Sequence, residues 1–165
     1  MGESNEETAE PSAPRIPRIL AFDVGDRRIG VAVSDPLGYT AQPLFTLHRT
    51  NPRADMKAVA RVLRKHAATE AVVGNPLHMS GDQSPQAAKA QAFAQQLRAD
   101  FGLTVHLWDE RLSTTQAHRH LDAAGHAPGR DRRPIIDQLA AVLILQSFLD
   151  ARANQKSRNG QRGLS

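Results

Sequence analysis

The chain has 165 residues, a formal net charge of +4 and no cysteine. That length suits one soluble domain with a sizeable core, and the missing thiols exclude disulfides, iron–sulfur clusters, thiolate zinc sites and cysteine nucleophiles. No apolar run approaches the ~18 residues of a membrane span, and the N-terminus lacks a basic-then-apolar leader, so a cytoplasmic protein without a membrane partner is expected.

Taken in chain order, residues 1–14 carry Glu3, Glu6, Glu7 and Glu10 without a base and read as a disordered acidic tail. Residues 15–153 read as one α/β domain. Ile19–Asp23 is a strand, Val24–Arg27 a turn and Arg28–Ser34 the returning strand of a hairpin. Pro43–His48 supplies a third strand. Pro52 opens a helix to about His66, with Met56, Val59, Ala60, Leu63 and Ala67 on one face. Glu70–Gly74 is a short buried strand, and a polar loop, 75–84, leads to a helix from about Pro85 with Ala90, Phe93, Ala94, Leu97 and Phe101 inward. Leu103–Trp108 forms a strand ending in Asp109 and Glu110. Ser113–Gln116 has capping-box spacing and starts a helix that Gly125 stops. Pro134 starts a last helix, apolar nearly all round, and 154–165 reads as a disordered basic tail. This order predicts a mixed sheet flanked by helices, an antiparallel hairpin-led half followed by parallel strands.

Three carboxylates stand where a core pattern would not choose them. Asp23 ends an otherwise apolar strand, Glu110 follows Leu107 and Trp108, and Asp137 lies in the first turn of the most apolar helix. Carboxylates in such surroundings are costly unless paired, hydrogen-bonded or bound to a cation, and a hard divalent cation, Mg²⁺ or Mn²⁺, would suit all three. Simpler roles remain open at this point. Asp23 fits a turn residue, Asp109 and Glu110 fit helix N-terminal acids, and Asp137 fits a partner for Arg132 or Arg133. His106, His118, His120 and His126 read as surface histidines, because His118 and His120 are two apart on a helix and face different ways.

The segment Ile19-Leu-Ala-Phe-Asp23-Val-Gly25-Asp-Arg27-Arg28-Ile-Gly30-Val-Ala-Val-Ser34-Asp35 resembles the opening motif of the YqgF/RuvX family. Those ribonuclease-H-like proteins are described as pre-16S rRNA nucleases or Holliday junction resolvases. Val72-Val-Gly74-Asn75-Pro76-Leu77 with Met79-Ser80-Gly81, Asp109-Glu110-Arg111-Leu112-Ser113-Thr114, and Ile136-Asp137 through Ala140-Ala141 to Leu145-Gln146 resemble its later motifs, in the same order. The resemblance covers roughly Arg18 to Arg152. Asn75 stands where the family usually has an apolar residue, and Ser80 where it commonly has Asp.

The resemblance implies a ribonuclease-H-like fold and a nuclease whose catalytic and metal-binding residues are Asp23, Glu110 and Asp137. Two Mg²⁺ or Mn²⁺ ions are implied, Asp23 bridging them, with Asp109 the alternative to Glu110. Strand alternation sends Asp109 and Glu110 to opposite faces. Nucleic-acid contacts are expected at Arg27, Arg28, Gly74, Asn75, Arg111, Arg130, Arg132 and Arg133, with Gly25 and Gly30 allowing close approach of a backbone. The implied substrate is structured RNA, the 5′ end of pre-16S rRNA, with ribosomal precursor particles as further partners; branched DNA is the alternative, and a nucleic-acid-binding factor with little catalysis a second. Symmetric junction cleavage needs a homodimer, whereas RNA processing is open to a monomer, and no heptad seam is visible. An actin-like or sugar-kinase phosphate loop shares the Asp-x-Gly pattern of Asp23–Gly25, but those folds close two domains around one nucleotide, and this chain has length for one.

Overall fold

In the computed structural model, which describes residues 16–78, 80–112 and 133–163, the alternating apolar segments pair into one five-stranded sheet. β1 (Arg18–Val24), β2 (Arg28–Ser34), β3 (Ala41–His48), β4 (Ala68–Asn75) and β5 (Thr104–Asp109) lie in the order β3-β2-β1-β4-β5. β2 runs antiparallel to both β1 and β3, while β4 and β5 continue parallel to β1. This is the mixed sheet expected from the order of the elements. Several strands begin earlier than their apolar runs suggest, because ladder hydrogen bonds extend into polar flanks such as Ala41–Gln42 and Ala68–Thr69.

Two helices make the crossovers that parallel pairing requires. α1 (Pro52–Lys65) starts where Asn51 Oδ1 accepts from the Ala54 N–H at 2.9 Å, and α2 (Pro85–Phe101) where Ser84 Oγ accepts from the Ala87 N–H at 3.0 Å. Proline occupies the first helical position of both, where its missing N–H leaves no bond unmade. Gly102, at φ +63°, ends α2 in the left-handed region. The helix expected over 113–125, and the loop after it with Arg130 and Arg132, lie outside the described residues.

α3 (Arg133–Arg162) covers the opposite face of the sheet. Ala141, Ile144, Leu145, Phe148 and Leu149 bury against Ile19, Ala21, Ala32 and Val72. An 18-residue stretch of this helix reaches a mean hydropathy of 1.4, enough by length and composition to cross a membrane. Its most apolar face is spent on the sheet instead. The apolar surface is also more one-sided than the sequence suggests, since Ile135 is 54% exposed. Further along, the segment expected as a tail is helical as far as Arg162. Adding residues to a formed, docked helix escapes the cost of nucleation, so the polar stretch extends it into solvent.

Candidate active site

β1 sends alternate residues to opposite faces. Leu20, Phe22 and Val24 join the layer under α1 and α2, while Ile19 and Ala21 meet α3. Asp23 therefore belongs to the α3 face, at the carboxyl end of the central strand. Across the antiparallel ladder its partner is Gly30, and on the other side the parallel register, Phe22 with Val73, brings Gly74 alongside.

Those two glycines admit the other two acids. A Cβ on Gly74 would sit 2.5 Å from Glu110 Oε1 and 2.6 Å from Ile144 Cδ1. A Cβ on Gly30 would overlap the main-chain carbonyl of Asp137. The Glu110 carboxylate and the early turns of α3 thus use the space that side chains would fill on either side of Asp23. Gly30 was expected to let nucleic acid approach; the element it admits is the protein's own helix.

α3 is fastened at several points. Thr46 Oγ1 donates to the Pro134 carbonyl. Gln146 accepts from the Ala41 N–H at 2.9 Å and donates to the Tyr39 carbonyl at 3.0 Å, and Trp108 Nε1 donates to Ser147 Oγ at 3.1 Å. At the far end Glu70 accepts from Arg152 at 2.7 Å and lies 2.8 Å from His106 Nε2. His106, expected at the surface, therefore sits in this polar clasp and packs on Phe148.

Asp23 feels the other two acids. Burial raises the Asp23 carboxyl from 3.8 to about 7, and the negative charges of Glu110 and Asp137 push the same way. Glu110 is raised by burial and by Asp109. Asp109 itself is held low by hydrogen bonds from Arg111, at 2.6 Å to Nη2 and 3.0 Å to Nε. The two are thus separated: β5 ends at Asp109, which pairs with Arg111, while Glu110, in the 3₁₀ turn that follows, joins Asp23. Asp137 accepts from Arg28 Nε at 2.7 Å, across the sheet. Among the described residues, no three acid or histidine side chains close on one point suited to a metal ion. The chemistry of the donor set still fits a hard divalent cation, being all carboxylate oxygen with one member, Asp23, raised by burial and by the charges of the other two.

The remaining expected contacts are spread around this end of the sheet. Arg27 is exposed in the β1–β2 turn, Arg111 is exposed beside Asp109, and Arg133 begins α3. Gly81, at φ +89°, brings the loop after β4 near Arg111. Asn75 ends β4 with its Oδ1 buried and without a hydrogen-bond partner. The roles of Gly30 and Gly74 as spacers, and of Arg28 as the partner of Asp137, depend on strand order and on a pairing 109 residues apart. Only the glycines themselves were visible beforehand.

A mixed sheet with acids gathered at the carboxyl ends of its strands defines the class. The solved structure of Thermus thermophilus RuvC with a Holliday junction superimposes with a TM-score of 0.51, covering 84% of this chain and 96% of that one at 15% identity, which establishes a ribonuclease-H-like fold. The family model described as "RuvX: Holliday junction resolvase" matches residues 17–151. A protein of Moorella thermoacetica is 48% identical over 147 residues, 89% of this chain and 99% of its own length, and one of Koribacter versatilis is 49% identical over 143 residues, 87% and 92% respectively. Both carry the name "Putative pre-16S rRNA nuclease". The chain belongs to the RuvX family, and is a nuclease.

Proposed function

We propose that the chain hydrolyses phosphodiester bonds in structured RNA, trimming the 5′ end of pre-16S rRNA in the cytoplasm, with divalent cations held by Asp23, Glu110 and Asp137. The observation that carries this reading is Asp23 at the carboxyl end of the central strand, raised to about 7 by burial and by the charges of Glu110 and Asp137, with the Glu110 carboxylate alongside over Gly74. The names of the relatives support the choice of RNA. Mg²⁺ or Mn²⁺, two ions in our reading, would supply an activated water and stabilise the departing oxygen of an in-line displacement.

The chain's own residues prepare that reaction. Asp23 would offer a carboxylate once deprotonated, Glu110 flanks it over Gly74, and Asp137, paired with Arg28, would complete the donor set. Arg27, Arg28, Arg111 and Arg133, with Arg130 and Arg132, would hold the backbone without reading its sequence. Resolution of four-way DNA junctions is the second reading, supported by the family description. It requires two copies acting together, because both continuous strands must be cut.

The discriminating assay offers a 5′-extended 16S precursor RNA and a four-way DNA junction to the protein in Mg²⁺, Mn²⁺ or EDTA. Cation-dependent cutting of the RNA alone is the expected result. Symmetric cutting of the junction alone would replace RNA processing with junction resolution, and tight binding without cutting of either would favour a binding factor.

A further inference from the structure

α1 exposes Arg53, Lys57, Arg61, Arg64 and Lys65, while its one acid, Asp55, is turned inward. Asp55 is 3% exposed and pairs with Arg49 at 3.3 Å while accepting from the Thr50 N–H. No described residue forms an ion pair with any of the five exposed bases. Arg53, Lys57 and Arg61 follow at intervals of four, so their charges are stacked about 6 Å apart along one side of the helix. Like charges at that spacing oppose the helix, and Arg53 in the first turn also has the wrong sign for the helix dipole. Asp55 in the first turn and Arg64 and Lys65 in the last suit the dipole, but among the described residues no ion pair relieves the repulsion along the row. α2, the neighbouring helix, presents instead a mixture that includes Gln86, Gln95, Arg98 and Asp100.

Between the two helices runs a trough. Its middle, about 480 Å³, has Met56, Ala60 and Phe101 in its lining, Arg53 and Lys57 on the α1 lip and a single acid, Asp100, on the α2 side. It continues one way to Arg64 and the other way to Arg27, in the turn that follows Asp23. Arg27 in turn accepts at its carbonyl from the Arg49 N–H, 2.8 Å away, which ties this turn to the start of α1. The trough thus begins at the end of the sheet where the acids lie and leads away over the opposite face.

We infer that the basic row of α1 is a second binding track for the nucleic-acid substrate, taking the phosphodiester backbone of the strand beyond the cut. This rests on the nuclease reading above and extends it from the cleavage point to a distant segment of substrate. Charge complementarity selects the occupant. A polyanion with regularly spaced phosphates relieves the repulsion along the row, whereas a neutral or apolar partner would leave it in place.

The test uses the full chain, a 5′-extended 16S precursor RNA and EDTA, so that binding is measured without cutting. The wild type is compared with R53Q/K57Q/R61Q/R64Q and with the charge-retaining R53K/R61K/R64K. Plotted as log Kd against log[KCl], the quadruple variant is expected to lose about 3 from the slope, roughly 0.7–0.9 for each lost phosphate contact. The Lys variant should keep most of the slope, and the melting temperature of the quadruple variant should hold or rise as repulsion is relieved. Should that variant fold poorly, R53Q/K57Q carries the same test with about half the slope change. An unchanged slope with tight wild-type binding would overturn the track and leave the nuclease reading standing. Absence of salt-sensitive binding by the wild type would overturn both.

Discussion

On the α1/α2 face, β1 contributes Leu20, Phe22 and Val24 to an apolar layer in which Phe22 meets Phe93 edge-on, ring centroids 5.4 Å apart. On the α3 face the same strand offers Ile19, Ala21 and then Asp23, with only Gly30 and Gly74 beside the acid on the neighbouring strands. One layer is filled by large side chains and derives its stability from burial. The other thins out toward one end, and a helix and a carboxylate enter the space left open. Stability and chemistry are thus divided between faces of one sheet, and substitutions on the two faces should separate folding from cutting.

The largest effect is expected at the floor of the site. Asp23→Asn should reduce cleavage on the order of a thousandfold or more, since the buried carboxylate proposed to hold the cation is lost. The same change should stabilise the cation-free protein at pH 8 by a few kcal/mol, because it removes a buried negative charge; thermal melts read this directly. On the apolar face Phe22→Ala should cost about 3–5 kcal/mol in denaturant unfolding while leaving cleavage per folded molecule near wild type. Gly74→Ala falls between these behaviours. Its Cβ must displace the Glu110 carboxylate or Ile144, so cleavage should fall about ten- to a hundredfold for ~1–3 kcal/mol of stability. Loss of stability without loss of cleavage at Gly74 would break the division between faces.

A smaller and graded effect is expected from pH. With Asp23 raised to about 7, cleavage at subsaturating cation should climb as pH rises toward 7 and level off above it, the deprotonated form being the one that takes a cation. Stability of the cation-free chain should run the other way. The folded state holds a proton on Asp23 that the unfolded chain releases near 3.8, so this contribution is complete below pH 3.8 and is lost as pH rises through about 7. Asp23→Asn should flatten both profiles.

Much of this organisation was legible in the sequence. The hairpin, the two helices that open on proline and the candidate acids follow from local periodicity and turn chemistry, while strand alternation sets Asp109 and Glu110 apart without saying which of them faces Asp23. What escaped is non-local. That Gly30 makes room for α3 cannot be seen until α3 is known to lie across β2, and that Gly74 makes room for Glu110 needs the parallel pairing of β1, β4 and β5. Arg28 as a partner of Asp137 was likewise hidden, because it lies across the sheet and 109 residues away. The helical stretch from 154 to 162 was hidden because its composition is that of a tail, and only the docked helix before it reveals the continuation.

The central claim is that Asp23 anchors one cation-responsive site built across two glycines. Its most direct test is the melting temperature at pH 8 as Mn²⁺ is added, for the wild type and Asp23→Asn. Cation binding to the folded state stabilises by about 2.7 kcal/mol at a hundredfold excess over Kd, so the wild type should rise by several degrees. Asp23→Asn should start higher and respond little. An equal rise in both proteins would contradict the account, placing the cation somewhere other than Asp23.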